Sequence, residues 1–141
     1  MPNWLKLIIG VVIGLVVGSI VNGSIISMSP HVIAPPPGAD LHTEAGLKAA
    51  MAQMGPQHFL MPFLAHALGS LVGGFLATKI APSYRAIPAV IVGAVFLGGG
   101  AYMASILPAP LWFEALDVIV AYLPAALLGY HLAKPRKPKY V

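Results

Sequence analysis

The sequence predicts an all-α integral membrane protein: a bundle of four transmembrane helices with a short interfacial helix in the outer loop. Three observations predict it. First, the 141-residue chain is 58% hydrophobic and only 9% charged, with a mean hydropathy of +0.85, whereas a soluble domain carries about 25% charged residues. Second, four windows reach the roughly 20 apolar residues that a bilayer-spanning helix needs. Third, the charges are sorted by sign between the loops, as the positive-inside rule requires. This composition argues against a soluble enzyme or a secreted disulfide module. Cysteine is absent, which excludes disulfides, thiolate catalysis and Cys-ligated metal centres. The pI of about 9.6 does not indicate nucleic acid, because the basic residues lie between apolar spans and not along one stripe.

The whole chain, 1–141, reads as a single membrane domain. The first span runs from about residue 4 to 26 and carries no charge after Lys6. Its apolar run is longer than the core of a signal peptide, so an uncleaved helix is expected. An outer loop follows over 27–56. It opens on the proline-rich stretch Pro30–Gly38, where missing donors and fixed φ disfavour regular structure. A short helix is then predicted over about 41–54, started by Asp40 or Thr43, braced by Glu44 and Lys48 at i,i+4 and ended by Gly55-Pro56. Its face of Leu47, Ala50, Met51 and Met54 is expected to lie on the membrane surface or over the bundle mouth. The second span covers 57–80, the third 87–107 and the fourth 111–133. Pro108 and Pro110 force a tight turn between the last two, and Pro124 is expected to kink the fourth. A basic cytoplasmic tail occupies 134–141.

With both termini inside, seven of the eight basic residues are cytoplasmic: Lys6, Lys79, Arg85, Lys134, Arg136, Lys137 and Lys139. Only Lys48 is outside, and the four acids Asp40, Glu44, Glu114 and Asp117 lie in the outer loop or the outer end of a span. This places the protein as a multi-pass component of the cytoplasmic (inner) membrane. Trp4, Tyr84 and Tyr130 are expected as anchors at the inner interface, and Phe59, Tyr102, Trp112 and Phe113 at the outer one. The lipid bilayer is the first expected partner, with anionic lipid at the basic tail, since each basic residue near the surface adds about 1 kcal/mol of attraction.

Helices in lipid associate through close backbone packing and polar contacts. Gly10, Gly14 and Gly18 recur every four residues on the first span, and Ala65, Gly69, Gly73 and Ala77 do so on the second. Each set forms a smooth ridge on one helix face. These ridges point to packing within the chain, or to a homo-oligomer or larger membrane complex. The run Gly98-Gly99-Gly100 on the third span marks a kink or a close approach.

Ionisable groups within a membrane are costly and are functional candidates by default. Glu114 and Asp117 lie three residues apart in the fourth span, and His58 and His66 lie near the start of the second. Similar depths permit an Asp117–His66 contact if the second and fourth spans are neighbours, either as a buried polar latch or as a proton or ion site. A second pattern is the concentration of His31, His42, His58, Met51, Met54 and Met61 towards the outer side. Thioether and imidazole are copper-compatible ligands, although methionine is also a common packing residue. No cofactor is predicted, and no phosphate loop, dinucleotide fingerprint, nucleophile elbow or HExxH motif occurs. In size and span number the chain is similar to the small multidrug transporters, but its first span lacks the acid typical of that family and offers only Asn22. The leading expectation is a non-enzymatic helix-packing protein or a subunit of a membrane assembly. The alternatives are a small proton- or ion-coupled transporter using Asp117, Glu114 and His66, and outer-face copper handling.

Overall fold

The computed structural model describes residues 1–134. These are helical, with no strand among them: α1 (Asn3–Val32), α2 (Glu44–Met51), α3 (Leu60–Ile80), α4 (Ile87–Ile106), α5 (Leu111–Leu116) and α6 (Leu123–Ala133). Single 3-10 turns precede α3 (Pro56–Phe59) and α4 (Pro82–Tyr84), and a π-helical turn, Asp117–Ala121, joins α5 to α6. Four helical stretches are long and apolar enough to cross a membrane: Asn3–Val32, Pro56–Ile80, Ile87–Ile106 and Leu111–Ala133. All of the tail after Lys134 lies outside the described residues.

Two elements differ from expectation, the first helix at its end and the outer-loop helix at both ends. The first helix does not end near residue 26 but continues to Val32, with Pro30 inside it. Pro30 falls in the last turn, where its missing N–H removes one bond from a helix that is already ending. At 1.5 Å per residue α1 is about 45 Å long, which exceeds a hydrocarbon core of about 30 Å. The outer-loop helix is shorter than 41–54 because its cap fixes a later start. Thr43 Oγ1 accepts a 3.1 Å bond from the Gly46 N–H, and the Thr43 hydroxyl donates to Asp40 at 2.6 Å. That hydroxyl holds the Asp40 carboxyl below its usual range, as the Lys48 ammonium, 2.6 Å away, does for Glu44. α2 makes few contacts with the long helices. Ala50 is buried instead within the loop, and Gly46 closes onto Asp40.

The bundle is organised by its small residues. α1 and α3 run antiparallel with their ridges facing each other. A β-carbon on Gly10 would lie 2.8 Å from the Ala77 carbonyl oxygen, one on Gly14 2.5 Å from that of Gly73, and one on Gly18 2.6 Å from that of Gly69. Ala65 and Ala77 are fully buried, so the second ridge is covered along its length. α4 closes over this seam, with Val92 against Gly14 and Gly73 and the Phe96 ring against Gly18. α6 packs on another face of α3, where a β-carbon on Gly74 would lie 2.5 Å from the Ala126 carbonyl oxygen and one on Gly129 would collide with that of Leu71. Side chains on the outer faces, such as Ile8, Val12, Val16 and Ile20 of α1, are exposed, as lipid-facing positions would be.

The aromatic residues divide. Trp4, Tyr102 and Trp112 are exposed, in keeping with interfacial anchoring, but Phe59, Phe113 and Tyr130 are buried. Phe59 packs on Phe113 with ring centroids 4.8 Å apart and meets Trp112 edge-on at 5.9 Å. Burying these rings between α3 and α5 satisfies more of their surface than a position at the headgroups.

Candidate functional site

Three side chains from two of the long helical stretches meet in the half of the bundle that adjoins the outer loop. His66 lies six residues into α3, and Asp117 opens the π-turn six residues beyond the start of α5. Both are therefore about 9 Å along their helices. His66 Nδ1 is 2.9 Å from Asp117 Oδ1 and 2.8 Å from Oδ2. A carboxylate only accepts, so this nitrogen carries the proton and donates to both oxygens. The Tyr122 hydroxyl donates to Oδ2 at 2.8 Å and lies 3.1 Å from His66 Nδ1. The imidazole and phenol rings stack at 5.5 Å with an interplanar angle of 26°. Asp117 is only 5% exposed, so its charge is confined to a low-dielectric setting in which unpaired ions are strongly disfavoured.

The π-turn makes this geometry possible. Residues five apart on an α-helix lie about 140° apart around its axis, which would send Tyr122 away from Asp117. The wider i→i+5 winding brings the fifth residue back towards the face of the first. Pro124 enforces the departure from α geometry, because its ring and missing N–H disrupt the turn before it. Tyr122, at φ −109° and ψ −81°, is the point of the break. Packing from the other helices then places the pair against His66. Gly74 and Gly129 let α6 approach α3, and Gly93 contacts Leu123 and Ala126 at the start of α6. Towards the outer loop, Phe113 lies one turn before Asp117 and Phe59 two turns before His66, with their rings packed on each other.

Gly100 provides a further constraint. A β-carbon there would collide with the Tyr122 phenol, whereas at Gly98 and Gly99 it would meet nothing within 4 Å. Of the two readings of the triple-glycine run, the structure has a close approach at its last member. Gly98→Ala and Gly99→Ala are therefore expected to leave the protein intact or stabilise it by about 0.5–1 kcal/mol each through helix propensity. Gly100→Ala should displace Tyr122 and lower stability, as thermal unfolding in detergent would show. Equal melting temperatures for all three variants would contradict this role for Gly100.

The other candidates are not part of the cluster. Glu114, one turn before Asp117, takes no part in its hydrogen bonds. His58 has both ring nitrogens engaged: Nδ1 accepts from the Gly55 N–H at 3.0 Å and Nε2 donates to the Ala34 carbonyl at 3.0 Å. It thus ties the outer loop to the start of α3. His31 and His42 are exposed, and Met51, Met54 and Met61 are half-buried. The chain turns at Gly55-Pro56, so these methionines do not share one continuous helix face. Among the described residues no three His, Asp or Glu side chains come together as a metal-binding group.

Sequence reasoning missed Tyr122, because an α-helical reading puts it on the wrong face. It also missed Ser70, one turn beyond His66 on α3. Ser70 is fully buried, and its hydroxyl has no hydrogen-bond partner. The signal available in the sequence was the pairing of Tyr122 with Pro124 shortly after an acid in an apolar, span-length stretch. Comparison with protein-family models, curated proteins and solved structures gives no significant match.

Proposed function

We propose that this is a four-span protein of the cytoplasmic membrane, with both termini inside, that couples protonation of the His66–Asp117–Tyr122 cluster to movement in the bundle, as a small proton-coupled carrier does. The observation that carries this reading is the Asp117 carboxylate, buried within a spanning stretch and held by both an imidazole and a phenol. Two states of the cluster differ by one proton. Imidazolium with carboxylate is neutral overall; imidazole with carboxylate carries one negative charge. Changing the charge of a desolvated site alters its electrostatic energy far more than it would in water. The adjacent π-turn is a local irregularity of the kind often found at functional sites, and Pro124 offers a hinge for α6.

A static packing role is the competing reading, and the facing glycine ridges favour it. Because those ridges are used within the chain, a homo-oligomer or larger complex would have to use the exposed apolar faces instead. The two readings separate by infrared difference spectroscopy on reconstituted protein between about pH 5 and 8, the window in which histidines commonly change charge. Imidazole bands that change with pH in wild type together with a shift of the Asp117 carboxylate bands, and that move to another pH range in Asp117→Asn, support the proton reading. A pH-dependent change in Trp112 fluorescence, measured in a Trp4→Phe background, would report the accompanying movement. Identical pH-difference spectra for wild type and Asp117→Asn would leave a static latch.

A further inference from the structure

The opposite end of the bundle holds a second polar feature that the proton cluster does not explain. A cavity of about 260 Å³ opens between the C-terminal ends of α3 and α6 and the turn before α4, lined by Thr78, Lys79, Pro82, Arg85, Tyr130, Ala133 and Lys134. Three of the lining residues, Lys79, Arg85 and Lys134, are cationic. None of the chain's four acids is near, since Asp40 and Glu44 lie in the outer loop and Glu114 and Asp117 in the outer half of the last span. The volume falls below the roughly 300–1,000 Å³ of pockets for drug-sized ligands, so it suits an ion-sized group.

Lysines in the last turn of a helix ordinarily complement the negative end of its dipole. That accounts for Lys79 and Lys134, whose ammonium groups also sit over the rings of Phe75 at 5.6 Å and Tyr130 at 4.1 Å. It does not account for two other features. Arg85 stands on the connecting turn, outside any helix, at φ 54°, a left-handed conformation seldom adopted by residues with a side chain. Thr78 is 4% exposed, lines the cavity, and has a buried hydroxyl without a hydrogen-bond partner. Buried polar groups are nearly always paired, and of the unpaired buried polar side chains among the described residues, Asn22, Ser70 and Thr78, Thr78 is the one that lines this cavity.

We infer that this cavity binds a phosphate group, as an anionic phospholipid headgroup presents it at the cytoplasmic surface, with Arg85, Lys79 and Lys134 neutralising the charge and the Thr78 hydroxyl donating to one oxygen. A guanidinium binds phosphate oxygens in a fixed fork, and the two ammonium groups act as point charges. Unlike diffuse attraction to a basic tail, this site has a buried polar side chain, Thr78, among its lining residues.

The test uses the full chain in a neutral detergent, titrated separately with a short-chain phosphatidylglycerol, a short-chain phosphatidylcholine and inorganic phosphate. The melting temperature reports binding. Phosphatidylglycerol is expected to stabilise the protein and phosphatidylcholine to have little effect. Arg85→Gln should weaken the response about tenfold in apparent affinity, and Thr78→Val by about threefold or more. Thr78→Ser should restore it, which separates loss of the hydroxyl from a folding defect. Lys6→Gln removes a cytoplasmic cation that does not line the cavity and should change nothing. A response to the lipid but not to phosphate assigns the headgroup as source; a response to inorganic phosphate alone keeps the site but assigns a soluble anion. Equal responses in wild type, Arg85→Gln and Thr78→Val overturn the site, as would a loss in Lys6→Gln as large as that in Arg85→Gln.

Discussion

Gly14→Leu is expected to break the seam between α1 and α3. The three glycines at 10, 14 and 18 are the only buried residues of the 30-residue α1, so the helix is held in the bundle along one narrow line. Gly14 is its midpoint. Even a methyl group there would lie 2.5 Å from the Gly73 carbonyl oxygen, 3.0 Å from Ala77 Cβ and 3.2 Å from a methyl of Val92. The first of these is backbone within α3 and cannot rotate away. Overpacking in a protein core costs about 1–3 kcal/mol when side chains can shift; a clash with a fixed carbonyl should reach or exceed the upper end. Gly73→Leu should do the same from the other side, against the Gly14 carbonyl and Val92. Gly23→Leu is the control, because a β-carbon there meets nothing within 4 Å, and such exposed changes usually stay within about 0.5 kcal/mol. The natural chain has no cysteine, so a pair introduced on facing turns of α1 and α3 reports their proximity directly. Loss of cross-linking and a lower unfolding midpoint in Gly14→Leu are expected, with both preserved in Gly23→Leu. Equal behaviour of the two variants would mean that the ridges do not hold α1.

The same residues show how far the sequence can be read. Hydropathy located the four helices that are long and apolar enough to cross a membrane, and small-residue spacing marked the rows that face each other between α1 and α3, because both properties are carried by single helices in local sequence. The predicted end of α1 failed for a matching reason. Proline is disruptive in a helix interior, but in the last turn it removes little, so Pro30 does not mark the boundary that its identity suggests. The cluster was half legible. Depth along the helices was enough to align His66 with Asp117, whereas the Tyr122 contact depends on a π-turn and on Gly100 leaving space for a phenol from another helix. Neither follows from periodicity. The cationic cavity was hidden too. Lys79, Arg85 and Lys134 read as topology signals in a linear chain, and only the proximity of the ends of α3 and α6 makes them one site.

The second large effect is at Asp117, and its size tests what the cluster is for. Single polar contacts between helices in a membrane average only about 0.6 kcal/mol, because the separated helices find other partners. Tyr122→Phe removes one such contact, leaves the His66–Asp117 bond in place and should cost about that much. Asp117→Ala takes the shared acceptor from both the imidazole and the phenol, and breaking a buried charged pair from one side costs about 3–5 kcal/mol. Asp117→Asn keeps an acceptor oxygen while removing the charge, so its cost should fall between these. The decisive quantity is how the cost varies with pH. Where the cluster binds the same number of protons in the folded and unfolded states, the difference in stability between wild type and Asp117→Asn would be independent of pH. In a proton-binding cluster that difference must change wherever the folded and unfolded states bind different numbers of protons. Unfolding of wild type, Asp117→Asn and His66→Gln in mixed micelles at several pH values measures it. A stability difference that varies with pH for Asp117→Asn, and that His66→Gln also abolishes, is the expected result. A constant offset across the series would make the cluster a structural contact with no proton linkage.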